Sequence, residues 1–188
     1  MEIGKTLYIT ERGKWREWLE ANFDKEKEIW LVYPNKSTGK PRILYNDAVE
    51  EAICFGWIDS TIKKLDPEHA VQRFSPRRSK STFSQANKER IRWLAKHDLI
   101  HPTILETLEP VLEEEFIYPE DILDEIRRDD EAWLYFKTLP ESYKRIRIAY
   151  IDGARERPEE FRKRLRYFLE KTKKNELLPG FGGIDKYY

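Results

Sequence analysis

Ile53-Cys54-Phe55-Gly56-Trp57-Ile58-Asp59-Ser60 opens the stretch on which the architecture turns, and Arg73-Phe74-Ser75-Pro76-Arg77-Arg78-Ser79-Lys80-Ser81-Thr82-Phe83-Ser84-Gln85-Ala86-Asn87 closes it. Gly56 stands where a helix ending just before it needs a left-handed residue. Trp57 to Lys64 and Val71 to Ser75 then read as strands, joined through Asp66-Pro67, a turn signal. An antiparallel hairpin is expected. Trp57, Asp59 and Thr61 would share one face, and Ile58, Ser60 and Ile62 the other. After Pro76 come a dense basic turn and a helix, for which Thr82 and Gln85 make a capping-box pattern.

Upstream, Thr10 reads as a helix cap. Trp15, Trp18 and Leu19 follow on one face, and Asn22 can end that helix in a left-handed conformation. Glu28 to Tyr33 reads as a strand, Pro34 to Pro41 as a loop, and Ile43 to Tyr45 as a short extended piece. Asn46 can cap a second helix with Val49, Ala52 and Ile53 on its apolar face.

Downstream the chain is helical. Ile91, Leu94 and Ala95 form one buried stripe. Thr103 with Glu106 repeats the capping-box pattern, and Pro110 should kink or split that segment. Pro119 starts a short helix, Trp133 and Phe136 mark another, and Tyr143, Ile146 and Tyr150 the next. Pro158 opens the last helix, with Phe161, Leu165, Phe168 and Leu169 as its stripe. Leu178 to Tyr188, with three Gly and one Pro, reads as a loose tail unless it docks. The fold class expected is α+β: a small antiparallel sheet with N-terminal helices and a C-terminal helical section. The domain reading is a core over 1–100, a helical section over 101–177 packed on it, and a tail over 178–188.

The chain has 188 residues, enough for a real core. A 13% aromatic share with six Trp argues against disorder. One Cys excludes an intrachain disulfide and a thiolate metal cluster, which suits a reducing compartment. Met1 to Thr10 lacks the apolar run of a signal peptide, and no window reaches membrane-spanning length, so a cytoplasmic location is expected. The formal net charge is zero, but charge comes in blocks. Arg73 to Arg92 holds seven basic residues against Glu89 alone, and Ile104 to Ala132 holds twelve acids against Arg127 and Arg128. Lys137 to Lys174 is basic again. Solvated helix faces that compensate one another account for such blocks.

The central stretch resembles the YdeI/OmpD-associated family, also called the bacteriocin-protection family. The resemblance is close from about Leu7 to Leu94. It rests on Trp15-Arg16-Glu17-Trp18-Leu19, Thr38-Gly39-Lys40-Pro41-Arg42-Ile43, Asp47-Ala48-Val49-Glu50-Glu51-Ala52, Cys54-Phe55-Gly56-Trp57-Ile58-Asp59, and Ser75-Pro76-Arg77-Arg78 followed by Ser81, Ser84 and Asn87. The C-terminal half matches loosely, around Ala154-Arg155 and Arg162-Lys163-Arg164-Leu165. Phe83 stands where the family usually has Trp. Phe23 stands where it often has His, so no histidine can act there in this chain. The resemblance implies no established reaction. It links some relatives to antimicrobial-peptide defence and to a porin, a partner that would require export.

The residues point to an anion site. Arg73, Arg77, Arg78 and Lys80 converge before a helix N-terminus, and Ser81 and Ser84 add hydroxyl donors. Trp57 and Asp59 would form the wall, and Asn87 could bind a ligand amide. The bland alternative pairs Arg73 with Asp59 and leaves the hydroxyls as caps. Cys54 reads as a buried inert thiol. His69, His97 and His101 lack metal-ligand spacing, so no metal and no cofactor is assigned. Trp15, Trp18, Trp30 and Trp57 read as core. Two other functions compete with small-anion binding. A nucleic-acid binder would use Arg90, Arg92 and Arg162 to Arg166. A protein-interaction module in peptide defence would expose an apolar patch. No nucleophile–base pair supports an enzyme.

Overall fold

The computed structural model describes residues 2–78 and 82–188. It contains eight α-helices and one four-stranded sheet among these residues, an α+β fold. The strands are β1 (Thr6–Leu7), β2 (Ile29–Pro34), β3 (Trp57–Lys64) and β4 (His69–Pro76). They lie in the order β1-β2-β4-β3. The expected hairpin is β3 and β4, and β4 also pairs antiparallel with β2. The sheet is mixed rather than wholly antiparallel, because the two residues of β1 pair parallel with Trp30 and Leu31. So short a strand leaves no alternation to read.

The faces of β3 differ from simple alternation. Asp59 pairs with Phe74, but Ile62 pairs with Gln72, so β3 takes three steps while β4 takes two. This bulge carries Ile62 onto the face of Asp59. One sheet face therefore holds Leu31, Tyr33, Trp57, Asp59, Ile62, Gln72 and Phe74, and the other holds Trp30, Val71, Arg73 and Ser75.

The chain divides into two compact units. The first comprises residues 1–82 and 94–109 and contains the sheet, with α1 (Arg12–Asn22) and α2 (Tyr45–Cys54). Trp15 and Leu19 of α1 are fully buried, and Trp15 meets Phe74 edge-on at 5.5 Å. That contact seats α1 on the Phe74 face. The caps differ from the sequence reading. Glu11, not Thr10, precedes α1, and Phe23 ends it in a right-handed conformation. Leu44, not Asn46, precedes α2; Asn46 lies in the first turn and its amide donates to Glu50 at 2.9 Å. Gly56 does terminate α2, with φ +71.

α3 (Gln85–Lys96) and α4 (Pro102–Glu113) each contribute to both units, with the divisions at Trp93/Leu94 and Glu109/Pro110. Helix assignment continues through Pro110, so the proline does not split α4, although the unit boundary falls there. Ser84 rather than Thr82 caps α3, accepting from the Asn87 N–H at 3.3 Å.

The second unit, residues 83–93 and 110–188, adds α5 (Glu120–Arg127), α6 (Asp130–Thr138), α7 (Glu141–Asp152) and α8 (Pro158–Lys173). Their core is Ile122, Ile126, Phe136, Tyr143, Ile148 and Phe168, with smaller neighbours. The tail docks within this unit. The Leu178 N–H donates to the Tyr143 hydroxyl at 2.9 Å. Arg147 binds the Leu178 and Pro179 carbonyls. Residues Phe181–Tyr187 then form a 3-10 helix whose Tyr187 accepts from the buried Arg90.

Candidate functional site

The basic turn follows β4. Arg73 Nε donates to Glu28 at 2.7 Å, and Arg73 Nη1 to the Ser75 hydroxyl at 3.3 Å. The bland alternative paired Arg73 with Asp59; Asp59 lies on the opposite sheet face, and Arg73 pairs with Glu28 instead. The Arg77 N–H donates to the Gly56 carbonyl at 2.9 Å, continuing the ladder by one residue. Arg77 directly follows β4; strand alternation carried one residue further would turn its side chain to the side of Arg73 and Ser75. Burial lowers the Arg77 pKa from its ordinary value. Arg78 is exposed. Lys80 and Ser81 lie outside the described residues.

The other described residues of the sequence-derived site have partners of their own. Trp57 is 1% exposed and its ring N–H donates to the Phe23 carbonyl, so it is core rather than a ligand wall. Asp59 faces away with Phe74. Ser84 is occupied in capping α3, and the Asn87 amide oxygen accepts from Arg90. Both belong to the second unit.

Asp59 instead anchors a polar cluster that the sequence reading missed. Its Oδ2 accepts from the Gln72 amide at 2.7 Å and from the Tyr45 hydroxyl at 3.0 Å. Gln72 is almost fully buried. The Tyr33 hydroxyl is buried and has no hydrogen-bond partner. Burial first, then the Asp59 charge and the Tyr45 phenol, raise the Tyr33 pKa, while nearby Arg42 pulls it back. Arg42 Nη1 donates to the Pro34 carbonyl at 3.1 Å. Strand register alone could not find this group, because Tyr45 and Arg42 come from the start of α2 and the loop before it.

Two further charged clusters are structural. Glu50 and Glu51 are buried on α2, and Arg12 and Arg16 of α1 neutralise them at 2.5–2.7 Å. Cys54 sits beside this network. Burial pushes its thiol up to about 12, even with Arg16 and Arg12 opposing. In the second unit the acidic and basic blocks compensate: Asp121 pairs with Arg155, and Asp129 with Lys173. Of the arginines considered for nucleic acid, Arg90 bonds Tyr187 and Asn87, Arg92 pairs with Glu89 and Arg164 with Glu160, while Arg162 and Arg166 are exposed.

Trp15, Trp30 and Trp57 are core as read, but Trp18 is half-buried and stacks on Trp15 at 5.3 Å. It lines an open groove of about 500 Å³ with Tyr8, Thr10, Lys14 and Asn22. His101 lies against the Phe23 ring at 5.0 Å. Among the described residues, no group of three or more His, Cys, Asp or Glu could hold a metal ion, and no helix is long and apolar enough to cross a membrane.

The chain belongs to the family described as a domain of unknown function (DUF8412), whose model matches residues 7–107, more than half of the length. Residues 115–175 match the model described as bacteriocin-protection, YdeI or OmpD-associated. The family read from sequence motifs is therefore present, but its model falls on the C-terminal helices, where the resemblance is loose. The closely resembling stretch lies within the other family's match. No curated protein and no solved structure matches the chain.

Proposed function

We propose that the N-terminal unit binds a small anion at the end of β4, with Arg77 and Arg78 as its cationic contacts and Arg73 as the inner wall. The observation that carries this reading is that Arg73 and Ser75 share one face of β4, with Arg77 hydrogen-bonded to Gly56 just beyond its end. This arrangement gathers guanidinium groups and a hydroxyl over about two residue repeats. Glu28 holds Arg73 at 2.7 Å, so that guanidinium is oriented before any ligand arrives. Burial disfavours the cationic form of Arg77, and a negative charge brought beside it offsets that.

A phosphate or carboxylate fits this donor set. The setting is cytoplasmic in this reading, in keeping with one buried cysteine and no disulfide. The test is calorimetric titration of the full chain with inorganic phosphate at low ionic strength, alongside its Arg77→Ala and Arg78→Ala variants. Saturable binding to the parent chain, lost in the Arg77 variant, is expected. Equal heats from all three proteins overturn the reading.

A further inference from the structure

The cluster on the other sheet face has the parts of a second site. Tyr33, Gln72 and Asp59 step diagonally across β2, β4 and β3 on one face. Tyr45, the first residue of α2, bonds Asp59 from above the sheet, and the loop before it brings Arg42 to the Pro34 carbonyl. Both bonds to Asp59 use Oδ2; among the described residues Oδ1 accepts none. Arg42 spends one N–H on Pro34 and, among the described residues, makes no further hydrogen bond or ion pair. The Tyr33 hydroxyl is buried without a partner and feels the charge of both this half-used carboxylate and this half-used guanidinium. Two exposed apolar side chains neighbour these groups in the fold: Leu44, which precedes Tyr45, is 68% exposed, and Ile62, paired with Gln72, 65%.

We propose that this cluster binds a small zwitterion of the α-amino acid class, its ammonium on Asp59 Oδ1, its carboxylate on Arg42 and the Tyr33 hydroxyl, and its aliphatic side chain on Leu44 and Ile62. A buried hydroxyl left unpaired is destabilising, and a ligand oxygen that accepts from it relieves that cost. The raised pKa keeps Tyr33 protonated at neutral pH, so it donates to a carboxylate rather than repelling it. An anion alone leaves Asp59 unsatisfied, and a cation alone meets Arg42. Only a ligand with both charges uses both groups. The bulge in β3 serves this arrangement, since without it Ile62 would point to the other face.

This proposal concerns the face opposite the basic turn and stands apart from the anion reading. The test is calorimetry and amide chemical-shift mapping of the full chain with L-leucine and the other protein amino acids. N-acetyl-leucine and leucinamide, each lacking one charge, serve as controls. Saturable binding of an aliphatic amino acid is expected, with each control about tenfold weaker or worse. Tyr33→Phe should weaken it by about the same factor, as should Asp59→Asn. The Tyr33→Phe variant should melt no lower than the parent, because it removes a hydroxyl that nothing bonds. Its phosphate response should be unchanged, which separates failure here from failure at Arg77. Absence of saturable binding by every amino acid at 10-millimolar order overturns the proposal, as does Tyr33→Phe binding as tightly as the parent.

Discussion

Arg145 clasps Glu89 with both arms: Nε lies 2.7 Å from one carboxylate oxygen and Nη2 2.7 Å from the other. Glu89 is 3% exposed and also accepts from Gln85 at 2.7 Å and Arg92 at 2.9 Å. Four donors on one buried carboxylate tie the N-terminal turns of α3 to α7 within the second unit. Removing the carboxylate strands two guanidinium groups, and breaking a buried pair from one side costs about 3–5 kcal/mol. Glu89→Ala should therefore lose stability on that scale in urea unfolding, and Glu89→Gln distinctly less. A loss for Glu89→Ala below about 1 kcal/mol would mean that solvent already screens the cluster.

Gly56 ends α2 with φ +71, and a Cβ there would meet the Ile104 Cδ1 atom at 3.0 Å. Gly56→Ala thus incurs left-handed backbone strain of about 1–2 kcal/mol and a contact that Ile104 must yield to. The melting temperature should fall. Ile104→Ala added to it should restore only the steric part. A Gly56→Ala protein as stable as the parent would show that the turn can relax into another conformation.

Local signals in the sequence explain what could be read in advance. The Gly56 terminator, the β3–β4 hairpin and the α8 stripe each depend on neighbours within a few residues, and each is where it was expected. The bulge at Asp59–Ile62 was not legible, since alternation gives no hint of an inserted residue, and it moved Ile62 to the Asp59 face. Arg73 went to Glu28 rather than Asp59 because face membership, not proximity along the hairpin, decides cross-strand partners. Glu89 was visible only as the lone acid in a basic block; its partner Arg145 lies 56 residues away. The polar cluster at Tyr33 was invisible for the same reason, being assembled from three strands, a loop and a helix start.

Cys54 gives a direct readout of opening. Its thiol is buried, and its pKa is pushed up to about 12, so almost no thiolate exists at pH 8. Iodoacetamide should leave the native protein unmodified over hours and label it rapidly in denaturant. Rapid labelling of native protein at pH 8 would mean that α2 opens locally.

Acid stability should track a set of carboxylates held below their ordinary range. Glu28 is lowered chiefly by the Arg73 hydrogen bond and then by Trp30, Glu141 by Lys144, and Asp121 by Arg155. Each group binds its proton more weakly folded than unfolded. Its contribution is therefore complete above the unfolded values, 4.5 for Glu and 3.8 for Asp, and is lost as pH falls through the lower folded values. The melting temperature should be flat between about pH 6 and 7 and drop steadily below about pH 4.5. Glu28→Gln removes one titrating group, so it should melt lower at pH 7 yet lose less on acidification, and its curve should converge on the parent's near pH 3. Parallel curves for parent and variant across that window would show that the Glu28–Arg73 bond does not favour the ionised carboxylate.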